Sequence, residues 1–240
     1  MSTTTTAPIW ATQSANVRAV WVAAGESPEQ IATQTDSLLG ELRSAFEIPE
    51  WRLTDGQPWA GSLDELAEIV RSNPVRELVG ASEEIGNVLP GEGYSFVASG
   101  SGPRVWLRAW IAAGNPVVGS RLPRRRLTVE LREVYAGALT SADGDAVCQA
   151  VASAWKPAMC DLTDDPVRRL ARRGNWKIGT GYRTWISKEI GEIDHLVDLL
   201  TTTELAGGTL ISAPDDWPAS RVVEAVTATL RENGLDEVPH

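Results

Sequence analysis

The chain has 240 residues, of which 42% are hydrophobic and 22% are charged, and these proportions exclude a disordered protein. Acidic residues outnumber basic residues by 32 to 22, which gives a formal net charge of −10. A field of this sign repels phosphate backbones and anionic membranes, so we expect neither nucleic acid nor a membrane as a direct partner. It would attract a basic protein partner, although solubility explains the same charge equally well.

The first residues and the two cysteines indicate the cytoplasm. The N-terminal stretch MSTTTTAPIW lacks the basic region and the apolar run of a secretory signal peptide. No segment approaches eighteen consecutive apolar residues, the length that spans a membrane. Cys148 and Cys160 have no metal-binding or redox spacing, and we expect them to be buried free thiols in a reducing compartment.

The chain begins with a polar lead and a strand–helix unit. Residues 1–15 are rich in threonine and predict a flexible lead. Residues 17–23 (VRAVWVA) are apolar and β-branched, as in a buried strand. The sequence SPEQ at 27–30 then provides a serine cap, a proline in the first turn and a glutamine at the capping-box position. This helix should end before Pro49, because proline cannot continue it.

A second helix follows a segment rich in tryptophan, proline and glycine. Residues 50–61 (EWRLTDGQPWAG) contain a turn and predict one short strand or none. Ser62 and Glu65 form a second capping box, and Pro74 ends that helix. Residues 75–93 predict another short helix before a glycine-rich loop.

Three consecutive strands are predicted in the middle of the chain, at residues 94–99, 105–113 and 126–135. In the second strand, apolar residues alternate with Trp106, Arg108 and Trp110. A period of two with one polar face is typical of antiparallel strands that are packed on one side only.

The last third of the chain alternates between helices and strands. A helix capped by Asp143 or Asp145 comes first, and Pro166 opens a short basic helix. Residues 181–214 (GYRTWISKEIGEIDHLVDLLTTTELAGGTLISAP) predict a strand, a helix, a Gly-Gly turn and a strand. A final amphipathic helix is expected over residues 220–233.

This order of elements predicts an α+β fold, with a mostly antiparallel sheet flanked by amphipathic helices in a compact single domain over residues 16–240. Two abutting subdomains, divided near residue 140, are the alternative that the pattern leaves open.

The sequence offers little catalytic chemistry. His195 lies beside Glu192 and Asp194, which is typical of a solvated histidine at a helix start. The glycines of KIGTGYR (177–183) lack the third glycine of a dinucleotide fingerprint and the Gly-Lys-Ser/Thr of a Walker loop. We therefore predict no catalytic, cofactor-binding or metal-binding residues.

Arginines cluster at 124–126, at 168–169 and at 172–173. Solvated turns and helix faces are the preferred explanation in an acidic chain, and contact with an acidic patch on a partner is the alternative.

Five segments together resemble the immunity protein 52 family, the antidotes that bacteria carry beside polymorphic toxins. The segments are VRAVWVAAGESPEQIATQTDSLLGEL (17–42), EWRLTDGQPW (50–59), AWKP (154–157), GY (181–182) and AGGTL (206–210). The resemblance implies an immunity protein that binds a cognate toxin domain and blocks it by direct contact. No residue of the pattern is catalytic.

A toxin-binding role predicts contact residues on acidic and aromatic loops, since interfaces use aromatic anchors ringed by polar groups. The predicted residues are Asp55, Trp59, Glu83, Glu84, Asp215, Asp216 and Trp217. The toxin domain should be more basic than this chain. Two other hypotheses stay open: a small carboxylate-dependent enzyme acting near Asp215 or Glu189, and a non-catalytic assembly subunit with a symmetric apolar interface.

Overall fold

A computed structural model describes residues 7–12, 14–22, 25–78, 85–118, 123–171, 174 and 176–240. The helices of this part of the chain are α1 (Pro28–Phe46), α2 (Leu63–Arg71), α3 (Ser141–Trp155), α4 (Asp165–Ala171) and α5 (Ala219–Glu232), after a short 3-10 helix at Ile9–Thr12. The strands are β1 (Ala15–Val20), β2 (Arg52–Leu53), β3 (Arg76–Leu78), β4 (Ile85–Val88), β5 (Tyr94–Ser101), β6 (Val105–Ala113), β7 (Arg126–Glu133), β8 (Met159–Thr163), β9 (Arg183–Ser187), β10 (Thr201–Leu205) and β11 (Gly208–Ser212).

Nine of these strands form one sheet in the order β10-β11-β9-β8-β1-β7-β6-β5-β2, and β3 and β4 form a separate pair. Every pairing is antiparallel. The predicted α+β fold with a mostly antiparallel sheet is therefore confirmed. Because β1 pairs with β7 on one side and β8 on the other, the sheet contains strands from both sides of residue 140.

The helix starts follow the capping chemistry of the sequence. Capping boxes form between Ser27 and Gln30 at α1 and between Ser62 and Glu65 at α2. The prediction for α3 was wrong in detail, because Thr140 is the cap residue. Asp143 instead takes the third helical position and accepts hydrogen bonds from the Thr140 amide and hydroxyl at 2.7 and 2.8 Å.

One face of the sheet is the main core. Its strand positions are buried and apolar: Val17, Leu107, Ile111, Leu127, Val129 and Leu162. The first three long helices cover this face, since α1 packs against α2 and α3, and α3 contacts β1, β8 and β9. Closing an apolar face of this size removes it from water, which is the main stabilising term in such a fold.

The opposite face differs between the two halves of the sheet. In β8, β9 and β11 its side chains are buried as well, including Met159, Asp161, Ile186 and Ile211. In β1, β5, β6 and β7 they remain exposed or half-buried, except for the buried Val20 at the end of β1, and we call this region the open face. The open face consists of Asn16, Arg18, Ser95, Val97, Ser99, Trp106, Arg108, Trp110, Ala112, Arg126, Thr128, Glu130 and Arg132.

Local structure differs from the prediction in three places. In residues 75–78 and 85–93, the described part of the predicted helix, the structure has β3 and β4, and the Val75 amide donates to the Gly93 carbonyl. No helix forms between β9 and β10, because Asn233 of the α5 end accepts from the Asp194 and His195 amides. Strand β8, for which the sequence predicts no element, is buried on both faces and so shows no alternation.

The predicted flexible lead over residues 1–15 does not hold for its described part from residue 7 on. Trp10 is completely buried, and its indole N–H donates to the Asp215 carboxylate at 2.7 Å. A single tryptophan in a polar stretch is enough to anchor the segment, since it buries a large apolar area. Of the helices in the described ranges, none has the length and apolar composition needed to cross a membrane.

Candidate functional site

The predicted contact residues near β2 have different surroundings. Asp55 is exposed on the turn after β2 and accepts a hydrogen bond from the Gln57 amide. Trp59 is only 2% exposed and stacks on Phe96, with ring centroids 5.5 Å apart. Its ring therefore belongs to the core and offers little surface to a partner. Glu83 and Glu84 lie outside the described residues.

The second predicted group, after β11, is mostly structural. Asp215 accepts from the Trp10 indole and forms an ion pair with Arg183 at 3.2 Å. Trp217 is 4% exposed, and the guanidinium of Arg221 lies 4.0 Å from its ring centroid. Of the three residues, only Asp216 is exposed.

The structure does not bring these two groups together. Asp55 follows β2, which is one edge of the sheet, whereas Asp216 follows β11, which is next to the other edge. The two acidic loops therefore do not form one continuous contact surface.

The open face carries residues of the types found in protein contact surfaces, and they are not the residues of the predicted acidic loops. Trp110 is 43% exposed, and the guanidinium of Arg126 lies 4.7 Å from its ring centroid. Trp106 is half-buried, with Arg132 at 5.1 Å from its ring. Arginine over a tryptophan face is a cation–π arrangement, and these two residue types dominate the energy of many protein interfaces.

At one end of the open face lies a groove of about 1240 Å³. Its floor is the sheet, and its walls are the turn after β2, the segment before β3 and the residues before β7. One wall is attached to the sheet by two contacts. Pro74 forms an isolated β-bridge with Tyr94, and the Ser95 amide donates a hydrogen bond to the Asn73 carbonyl. We call this site the arginine groove, and its charged lining residues are Arg18, Asp55, Arg76, Glu92, Arg124 and Arg126.

The arginine cluster at 124–126 has two roles that its sequence does not separate. Arg125 is 3% exposed and donates to the backbone carbonyls of Asn115, Val22 and Val117, so it holds loops together. Arg124 and Arg126 point into the groove. The alternation of β6 indicated a polar face, but which distant residues lie beside Trp110 depends on strand register.

Several titratable groups with shifted pKa values lie inside the covered half of the sheet. Burial raises the pKa of Asp161, whose nearest cation is Arg18 at 3.6 Å. The pKa of the Cys160 thiol is raised by its hydrogen bond with Cys148 and by burial. Both cysteines are buried and free, as predicted. Cysteines buried in apolar surroundings are poor nucleophiles, so this pair has a structural character.

The groups that an enzyme hypothesis would use are exposed or already bonded. Glu189 is exposed on a turn, and the Asp215 carboxylate is held by Trp10 and Arg183. His195 is exposed on the connection between β9 and β10. Within the described ranges, no group of three or more His, Cys, Asp or Glu side chains could hold a metal ion.

Comparisons with known proteins add little to this geometry. No protein-family model matches the chain, and no curated protein sequence matches it either. Among solved structures, the chain is similar to the Pseudomonas aeruginosa T6SS protein PA0821, with a TM-score of 0.47 and 9% sequence identity. The match covers 91% of this chain and 72% of that one. An identity this low and a superposition this loose do not transfer function, and the resemblance to the immunity protein 52 family stays a prediction.

Proposed function

We propose that this chain is a non-catalytic binding protein that neutralises a cognate bacterial toxin domain by direct contact, and that the open face makes the contact. The observation that carries the proposal is a sheet face left uncovered in half of the sheet, with exposed tryptophan and arginine side chains along it. We infer that the partner is a toxin domain from the resemblance of the five sequence segments to the immunity protein 52 family.

The composition of the open face supports a protein partner. Trp106 and Trp110 alternate with Arg108 along β6, and Arg126 and Arg132 lie beside them on β7. Interfaces concentrate their binding energy in a few tryptophan, tyrosine and arginine residues near the centre of the buried patch. The face is also rigid, since it is built on paired strands, so little conformational entropy is lost when a partner binds.

Charge supports a partner domain that is more basic than this chain. The net charge of −10 attracts such a domain at long range and speeds encounter. The exposed Asp216 contributes to that field. Binding and steric blockage require no catalytic residues, and a cytoplasmic location would place the inhibitor where a toxin acts.

Co-expression with the product of the neighbouring reading frame tests the proposal. We expect that product to arrest growth alone and to be harmless in the presence of this chain. Trp110→Ala should weaken protection, because Trp110 has the most exposed ring of the open face. Leu199→Ala is the matched control, since Leu199 is 65% exposed and lies beyond the open face, just before β10.

Two outcomes would contradict the proposal. One is a neighbouring product that is harmless alone or stays harmful with this chain present. The other is protection that survives Trp110→Ala and Trp106→Ala together in a folded protein, which would exclude the open face as the contact surface.

A further inference from the structure

The arginine groove holds more cationic side chains than anionic ones, although the whole chain is acidic. Among the residues that the structure describes, four arginines and two carboxylates line it. Glu92 already pairs with Arg124 and accepts from the side-chain Nδ2 of Asn115, and Arg18 faces the buried Asp161. The local charge of the groove is therefore opposite to the charge of the molecule.

Two of the arginines have unused donors. In the described part of the chain, Arg76 donates to the Gly86 carbonyl and forms no ion pair, and Arg126 lies over Trp110 without an ion pair. Both side chains are exposed. A guanidinium has five N–H donors in a fixed fork that matches the two oxygens of a carboxylate.

The shape and charge of the groove favour a peptide over other anions. Its volume of about 1240 Å³ exceeds that of ordinary small-molecule pockets, and its floor is an open sheet. Asp55 and Glu92 in its lining, together with the net charge of −10, oppose a polyanion such as nucleic acid. A segment with one or two carboxylates avoids most of that repulsion.

We propose that the arginine groove binds an extended segment of a protein partner that carries a carboxylate side chain. Arg76 and Arg126 donate to the carboxylate, and Trp110 packs against the apolar part of the segment. The inference rests on the proposed function, because it states what the open face recognises. A partner can be basic overall, as the long-range field requires, and still present one acidic segment here.

Selection from a displayed library of short random peptides with the full-length chain tests this inference without the toxin. We expect selected peptides to be enriched in Asp and Glu. Arg126→Glu and Arg76→Glu should each weaken binding of a synthetic selected peptide by about ten-fold or more, the value of one charge-assisted hydrogen bond. Arg43→Glu is the matched control, because Arg43 is exposed on α1, outside both the open face and the groove, and its reversal should change affinity by about two-fold or less.

Thermal unfolding of each variant confirms that it is folded. Peptides enriched in Lys or Arg, an absence of selected peptides, or unchanged binding by folded Arg126→Glu would overturn the inference. A single-stranded oligonucleotide that binds more tightly than the selected peptides would overturn the choice of occupant. If acidic peptides bind but co-expression gives no protection, the groove assignment holds and the proposed function fails. If co-expression gives protection but the selected peptides are not enriched in Asp and Glu, the proposed function holds and the groove assignment fails.

Discussion

The two halves of the sheet share one antiparallel ladder but treat their second face differently. In the covered half, β8 and β9 bury residues on both faces, and polar groups such as Asp161 and Arg183 are enclosed. In the open half, the residues on the second face of β6 and β7 meet solvent. The difference teaches that strand alternation alone does not set burial. What lies over each face decides whether a polar side chain is a structural partner or an available contact.

Tryptophan truncation should give the largest contrast between the halves. Trp185 of β9 is 2% exposed and donates to the Leu205 carbonyl at 2.7 Å. Trp185→Ala should lower the free energy of unfolding by about 3–5 kcal/mol, because it leaves a cavity in the core. Trp110→Ala in the open half should cost at most about 1 kcal/mol. Urea unfolding of both variants measures the contrast, and equal losses would show that the open face is buried in solution.

Substitution of arginines should show the same difference in lost stability between the covered half and the open half. Arg183 is 2% exposed, donates to the Tyr182 and Ala213 carbonyls and pairs with Asp145 and Asp215. Arg183→Met should destabilise the fold by about 3 kcal/mol or more, because it leaves buried acceptors unpaired.

Arg126→Met is the matched control for that experiment. The exposed Arg126 stacks on Trp110, and its removal should cost about 1 kcal/mol or less. Chemical denaturation gives both values. If Arg183→Met lost less stability than Arg126→Met, water would have replaced the hydrogen bonds of Arg183. The covered half would then be more open than the structure indicates.

The buried Asp161 should give the covered half a pH dependence. Burial raises its pKa in the folded state, so the unfolded chain releases this proton first. The parent protein therefore loses stability as pH rises from the ordinary pKa of an aspartate through the raised pKa. Relative to the parent, Asp161→Asn should become steadily more stable over that window, and unfolding titrations at several pH values measure the difference.

Glu204 on the edge strand β10 supplies a control of opposite sign. A hydrogen bond from Lys188 lowers the pKa of Glu204, so the parent gains stability as pH rises through that lowered pKa. Relative to the parent, Glu204→Gln should lose stability over the same rise. Equal slopes for the two variants would contradict the assignment of Asp161 to a buried site.

Most elements could be predicted where the sequence carries a local pattern. The capping boxes at Ser27 and Ser62 correctly predicted two helix starts, and the alternation of β6 correctly predicted that this strand is packed on one face only. Strand β8 was missed because a strand buried on both faces has no period of two. The helix expected between β9 and β10 fails because Asn233 and Thr229 of α5 bind its amides, and such tertiary bonds override local propensity.

The candidate site was less predictable for a related reason. Trp59 and Trp217 have the composition of contact residues, but both are buried. Trp59 stacks on Phe96, which is distant in sequence, and Trp217 receives a tertiary hydrogen bond at its carbonyl from the Tyr182 hydroxyl. Of the predicted contact residues whose positions the structure describes, only Asp55 lines the arginine groove. Arg18, Arg76 and Arg126 come from three separate segments, and only the register of the sheet and the segment paired with β5 place them together.

The smallest predicted effect tests how exposed the open face is. The guanidinium of Arg132 lies 5.1 Å from the Trp106 ring centroid, and Arg132 also pairs with Glu130 at 2.6 Å. A double-mutant cycle of Trp106→Ala and Arg132→Ala should give a coupling free energy of about 0.5–1 kcal/mol, the range for exposed cation–π pairs. A coupling near about 2 kcal/mol is typical of a desolvated pair. A coupling free energy this large in the isolated protein would mean that a second copy of the chain already covers the open face. If the coupling free energy becomes this large only when the toxin domain is present, the partner binds on the open face.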